Sequence, residues 1–356
     1  MAMARLVEPG EAVSHRSNNF DFIRLAMALA VIWSHGFALY YGNEDREWVS
    51  LLLGEYQNAG NLAVMVFFMI SGFLITQSWM RSRSLASYIE KRVRRIYPGY
   101  LVATLVCAFV VVPVFSTIMK LDVEEILRTI GFNLLFRNYF PPSNAFTANP
   151  VPNAVNGSLW SIPFEMWCYV GVAALGLMSL LRRRWLLVAL LVAVLVLRVV
   201  LDLQGRKPGL GLIGVVFGWP YMWVQILPSF LLGMIAWSFR ESLPRHPAIL
   251  VGLAVAAIGA CHLEQNIAKL LVAPALAYAV FYLGFSRRIS LPDAARHGDF
   301  SYGTYLYAYP IQQMIWALWG HRIGFPSYLV LSFALSLPAG IASWFLVERW
   351  FLPRRR

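Results

Sequence analysis

Ten apolar runs, each close to the length that crosses a bilayer, constrain this 356-residue chain more than any other feature. They cover roughly 20 to 40, 62 to 79, 98 to 115, 162 to 181, 185 to 201, 218 to 239, 247 to 263, 267 to 285, 301 to 319 and 327 to 347. Hydrocarbon offers the backbone no hydrogen-bond partner, so only a helix of about 20 residues or a closed barrel can span it. The runs are continuous and lack the two-residue alternation of barrel strands, which predicts an all-α, polytopic membrane protein of about ten transmembrane helices. Composition agrees, because 59% hydrophobic against 13% charged residues leaves too little polar surface for a water-soluble domain. Around a membrane domain at 20–347, residues 1–19 read as a cytoplasmic N-terminal segment and 348–356 as a basic cytoplasmic tail. The first run holds Arg24 and lacks a small-residue cleavage site, so it reads as a retained span and not a signal peptide.

A net charge of +12 points to nucleic acid in a soluble protein, but in a polytopic one it belongs in cytoplasmic loops, and no nucleic-acid partner is expected. An even number of spans puts both termini on one face. Taking that face as cytoplasmic places twenty of the thirty lysines and arginines in inner segments and eight in outer ones, which satisfies the positive-inside rule. The three cysteines, Cys107, Cys168 and Cys261, fall within apolar runs without metal-ligand spacing, so they read as packing residues and no metal is expected. The long connection, 116 to 161, lies outside; a short helical piece near Asp122 to Ile130 precedes a stretch rich in turn formers. Within it, "NGS" also reads as a glycosylation sequon.

Ionisable residues inside spans mark candidate sites, because each needs a partner or a water-filled cavity. Arg24 and His35 are eleven residues apart, which at about 100° per residue returns them to one helix face, roughly 16 Å apart along the axis. Glu165 opens the fourth run about one turn below the outer surface, at a depth matching His35, so the two read as a paired acid and base. The structural alternatives are Arg24 snorkelling to headgroups, His35 as a packed hydrogen-bonding histidine, and Glu165 bonded to Ser158 and Trp160. The inner stretch "SRSLASYIEKRVRRIYP" has a broken apolar face and six cations against Glu90, and reads as an interfacial amphipathic helix. Its arginines suit either membrane-lipid headgroups or the phosphates of a cytosolic anion. A transporter and a trans-membrane group transferase both fit this layout.

Several segments together resemble the acyltransferase-3 family of integral membrane O-acyltransferases. They are "NNFDFIRLAMALAVIWSHGF", "VFFMISGFLITQSW", "SYIEKRVRRIYPGY", "GSLWSIPFE", "FLLGMIAW", "DFSYGTYLYAYPIQQ" and "SWFLVERWF", in family order from residue 18 to about 351. The resemblance implies transfer of an acyl group, usually acetyl, from cytosolic acyl-CoA to a hydroxyl of a carbohydrate or lipid-linked glycan at the outer face. A bacterial inner membrane is the implied location. It further implies that Arg92 and Arg95 bind the coenzyme A phosphates, Arg24 lines the donor channel, His35 is the general base and Glu165 orients or charge-balances it. Ser34, Ser71, Asn61 and Trp160 are candidate donors to the developing oxyanion. The chain departs from the family where Ala63, Val64 and Met65 replace an acidic residue, and where Ala308 and Tyr309 stand near a usual histidine. The rival function is a transporter or flippase of a lipid-linked sugar, whose mark is inverted repeats or paired broken helices.

Overall fold

The computed structural model describes residues 5–6, 18–119, 122–141, 143–209, 214, 216–286, 289 and 291–352. Most of the N-terminal segment, Arg16, Arg287, Arg288 and the tail residues 353–356 lie outside the described residues.

Each of the ten apolar runs carries a long helix. These are α1 (Phe20–Tyr41), α2 (Ala59–Arg81), α3 (Leu85–Val106), α4 (Ser161–Leu177), α5 (Arg184–Leu203), α6 (Pro220–Ser238), α7 (Pro247–Leu263), α8 (Gln265–Gly284), α9 (Ser301–Trp319) and α10 (Phe325–Leu346). Among the described residues the regular structure is helical apart from an isolated bridge between Arg5 and Pro244 and a two-stranded antiparallel patch, β1 (Ser116–Met119) with β2 (Ser143–Ala145), in which Ser116 faces Ala145. Seven helices among the described residues are long and apolar enough to cross a membrane by themselves. The other three fall short for physical reasons: α4 and α7 have 17 residues, and α9 carries Gln312, Gln313 and several tyrosines. Polar side chains in α9 are sheltered by protein, since Gln312 and Gln313 are fully buried and bonded to backbone carbonyls.

Helix α1 lies between α2 and α9 and touches α10. Its end is set by Gly42, whose φ of 80° a side chain disfavours and whose N–H caps Ala38. Helices α2 and α6 approach so closely that a Cβ at Gly72 would lie 2.1 Å from the Phe230 carbonyl oxygen, and one at Gly233 would lie 2.0 Å from that of Met69. Small residues let helix backbones meet where lipid supplies no hydrophobic drive for packing. Asn19 ties the start of α1 to the connection after α8, donating to Leu283 O and Ile289 O at 2.8 Å each.

Two expectations change. The basic stretch is not a separate interfacial helix, because the helix starting at Leu85 runs on through a π-turn at Cys107–Val111 to Phe115. Ser84 caps it by accepting from Ser87 N, and Pro98 does not interrupt it. The outer connection also does not stay at the surface. The short helix Val123–Leu134, capped by Asp122, lies where the sequence placed it, but Phe146, Asn149, Val155, Asn156, Ser158 and Leu159 are all buried. Asn156, the sequon asparagine, uses its amide on Leu306 O at 2.9 Å and is only 7% exposed. Irregular backbone at this depth is tolerated because protein surrounds it.

Candidate active site

A cavity of 1390 Å³ opens between α1, α2, the first half of α3, α4 and the start of α9. Its mouth lies at the Arg81 end of α2, beside Lys91, Arg94 and Arg349. Asp21, at the start of the first helix, and Leu352, after the last, both line the cavity. Eight lysines and arginines line it against four carboxylates, so the space attracts anions.

Two of the predicted residues meet in its wall. Arg24, on α1, donates to Asp299 Oδ2 at 2.8 Å, and Arg95, on α3, bonds the same oxygen. Asp299 turns its other oxygen to the start of α9, accepting from Ser301 N at 3.2 Å and Ser301 Oγ at 2.5 Å. Burial pushes the Asp299 carboxyl up, but the Arg24 and Arg95 guanidiniums outweigh it and hold the group well below the usual carboxylate range. Among the described residues Arg92, one turn before Arg95, has no carboxylate partner. It lies 5.9 Å and 6.0 Å from the ring centres of Tyr88 and Tyr169 and donates to Ser78 Oγ at 3.3 Å, while its Nε is buried and unpartnered. A guanidinium steadied by aromatic faces with a spare donor suits a phosphate oxygen.

Glu165 lines the deeper cavity wall, where it accepts from Ser71 Oγ at 2.9 Å and Tyr169 OH at 2.5 Å. Among the described residues no hydrogen bond joins it to His35, to Ser158 or to Trp160. His35 sits against the edge of Tyr309, with ring centres 5.1 Å apart, and its Nδ1 is buried without a hydrogen-bond partner among the described residues. Depth explains the separation. Ser161 Oγ and Tyr305 OH are 2.8 Å apart and therefore level. Glu165 lies one turn inward of Ser161 on α4, and Tyr309 one turn outward of Tyr305 on α9, so Glu165 and His35 differ by about two turns, on the order of 11 Å. The matched depth expected from sequence fails because the chain is already buried at Ser158 and Leu159 before α4 begins. The shared face of Arg24 and His35 stands: one reaches the residue two before α9, the other Tyr309 on it.

Asp299, Tyr169 and Tyr305 escaped the sequence reading. For Asp299 a signal existed, since the span-embedded Arg24 lacked a carboxylate and "DFSYG" offers one at a helix start.

Residues 17–345 match the acyltransferase-3 family, described as an acyltransferase domain. The chain is 29% identical over 351 residues to the "O-acetyl transferase" of Shigella phage Sf6, covering 96% of this chain and 97% of that protein. It is 29% identical over 324 residues to the "Exopolysaccharide production protein ExoZ" of Rhizobium meliloti strain 1021, covering 85% and 93% of the two chains. A shorter match, 43% identical over 94 residues, joins it to "Nodulation protein 10" of Rhizobium leguminosarum bv. viciae and covers 26% of this chain and 24% of that one. No solved structure matches. With almost the whole chain matched, the transporter reading gives way to an enzyme. The chain belongs to the acyltransferase-3 family of integral membrane acyltransferases, enzymes that transfer acyl groups other than amino-acyl groups.

Proposed function

We propose that this protein moves an acyl group, acetyl by preference, from acyl-CoA held in the cavity to a hydroxyl of a saccharide or lipid-linked glycan at the opposite face. The observation that carries this reading is the convergence of Arg24, Arg92, Arg95 and Glu165 on one cavity whose mouth is ringed with cations. At 1390 Å³ it exceeds the roughly 300–1,000 Å³ of ordinary small-molecule sites, which suits a donor with a nucleotide head and a long thioester arm. The positive-inside rule supports a cytoplasmic basic face with both termini there, and the phage and rhizobial relatives support a bacterial inner membrane. The names of two relatives, an O-acetyl transferase and an exopolysaccharide production protein, support the acetyl group and the saccharide.

In this reading Arg92 and Arg95 bind the donor phosphates, and Arg24, held with Arg95 by Asp299, adds positive potential beside the arm. Glu165 orders the Ser71 and Tyr169 hydroxyls along the arm's path. His35 takes the proton of the acceptor hydroxyl as its oxygen attacks the thioester carbonyl. The new C–O bond replaces the C–S bond, and the proton leaves with the coenzyme A thiol. A positioned base supplies about 10²- to 10⁴-fold, and alignment supplies more.

The test incubates membranes holding the protein with labelled acetyl-CoA and follows label into polysaccharide. His35→Ala and Glu165→Ala should each abolish or severely reduce incorporation. Undiminished transfer by both variants overturns the assignment.

A further inference from the structure

The donor cavity and His35 do not meet. Phe67, Ser161 and Tyr305 line the cavity's outer end, whereas His35 and Tyr309 are not among its lining residues. Tyr305 closes that end. Its hydroxyl donates to Ser158 O at 2.6 Å and pairs with Ser161 Oγ at 2.8 Å, and its ring packs edge-on against Phe67 with centres 5.9 Å apart. Val31 and Ala63 seal the remaining sides in the same apolar cluster. One turn farther out Tyr309 fills the space between His35 and the chain at Gly157, where a Cβ would lie 2.5 Å from its ring.

We propose that Tyr305 is a gate between the donor cavity and His35, and that the opening left when it swings aside limits which acyl chains pass. This rests on the donor reading above. The latch is specific: two hydrogen bonds reach the junction of the outer connection with α4, and both are lost if the tyrosine ring turns away. A hydroxyl bonded at both partners resists opening, while the ring sets the bore. Because a fitted apolar constriction separates substrates differing by one methylene about tenfold or more, a two-carbon acyl group passes where a longer one is held back. Tyr305→Phe therefore loosens the latch without widening the bore, and Tyr305→Ala widens it.

The experiment uses the full chain in lipid nanodiscs. The first measurement is release of free coenzyme A thiol from acetyl-CoA and from hexanoyl-CoA, with coenzyme A binding measured in parallel. Tyr305→Ala should raise the hexanoyl-to-acetyl ratio at least about tenfold, the effect of lowering one barrier by about 1.4 kcal/mol. Phe67→Ala, which opens the same constriction from α2, should shift the ratio in the same direction. The second measurement needs neither donor nor acceptor. With Cys107, Cys168 and Cys261 changed to serine, His35→Cys should react with a small charged thiosulfonate added to the basic face faster by a similar factor when Tyr305→Ala is present. An unchanged selectivity ratio in both gate variants, or equal labelling rates with and without Tyr305→Ala, overturns the gate. Loss of coenzyme A binding by the wild-type protein itself sinks the donor reading instead, and the labelling comparison separates the two failures.

Discussion

Replacing Asp299 by asparagine removes the charge that bonds both half-buried Arg24 and Arg95, leaving Glu348 as a more distant neighbouring carboxyl, and its consequence can be worked out from the structure. Asp299 is 8% exposed at its side chain, and Arg24 and Arg95 are 21% and 20% exposed, so little water screens the triad. The amide keeps the size of the side chain and can still accept from Ser301, but it leaves two guanidiniums side by side without their counter-ion. Breaking a buried pair by removing one partner costs about 3–5 kcal/mol of stability. Each arginine also loses a charge-assisted bond worth about 1.5–3 kcal/mol, and an arginine no longer aimed loses a comparable contact with the donor phosphates. At about 1.4 kcal/mol per tenfold, coenzyme A should bind roughly tenfold to a hundredfold more weakly to Asp299→Asn. Titration of coenzyme A onto the protein in nanodiscs measures this, with thermal unfolding run alongside and Asp299→Glu included to recover part of the loss. If Asp299→Asn binds coenzyme A as tightly as wild type, or more tightly, and unfolds at the same temperature, then Asp299 competes with the phosphates and does not position the arginines.

Other expectations follow from the same geometry. His35→Gln should lower turnover by about 10²- to 10⁴-fold while coenzyme A affinity stays at the wild-type value, because His35 lies outside the donor cavity; a matching loss of affinity contradicts that placement. Arg92→Lys should raise the KM for acyl-CoA with kcat nearly unchanged, since an ammonium cannot both lie along the tyrosine faces and present a planar fork. Gly72→Ala should destabilise the protein by about 1–3 kcal/mol in a detergent melting assay, as the added methyl meets the Phe230 carbonyl. For pH, the folded Asp299 carboxyl is held below its unfolded value, so its contribution is complete above about pH 3.9 and fades only as pH falls through the folded value. The neighbouring Glu348 carboxyl is raised to about 7 by burial and feels Asp299, so the comparison belongs in a Glu348→Gln background. There the melting deficit of Asp299→Asn should be constant from about pH 8 down to about pH 5; a deficit that shrinks within this window in that background refutes the sign.

Hydropathy made the ten helices legible, because the bilayer imposes length and apolarity on each span independently of its neighbours. Angular periodicity correctly put Arg24 and His35 toward the same neighbouring helix. Depth was a poorer guide. Counting inward from the start of an apolar run assumes that the chain enters the membrane as a helix, and here Val155, Asn156, Ser158 and Leu159 are already buried when α4 starts. Glu165 is thus deeper than its sequence position suggests, and Ser71 and Tyr169 bond it where His35 was expected. The partner of Arg24 and Arg95 was hidden for a different reason. Asp299 is 275 residues from Arg24 and 204 from Arg95, and no local pattern specifies a contact at that range.

Arg92 and Arg95 are carried by a rod, not by a loop, since the helix from Leu85 passes into the membrane without a break. Inserting a single residue before them would turn each guanidinium by about 100° and aim it at lipid or at a neighbouring helix. In the outer connection, freedom from such a register constraint is confined to exposed residues such as Thr147, Ala148, Pro152 and Asn153, because Asn149, Asn156 and Ser158 are buried and bonded to α9. Members of this family can therefore diversify at the far side of the membrane while the cationic doorway is held to a fixed spacing.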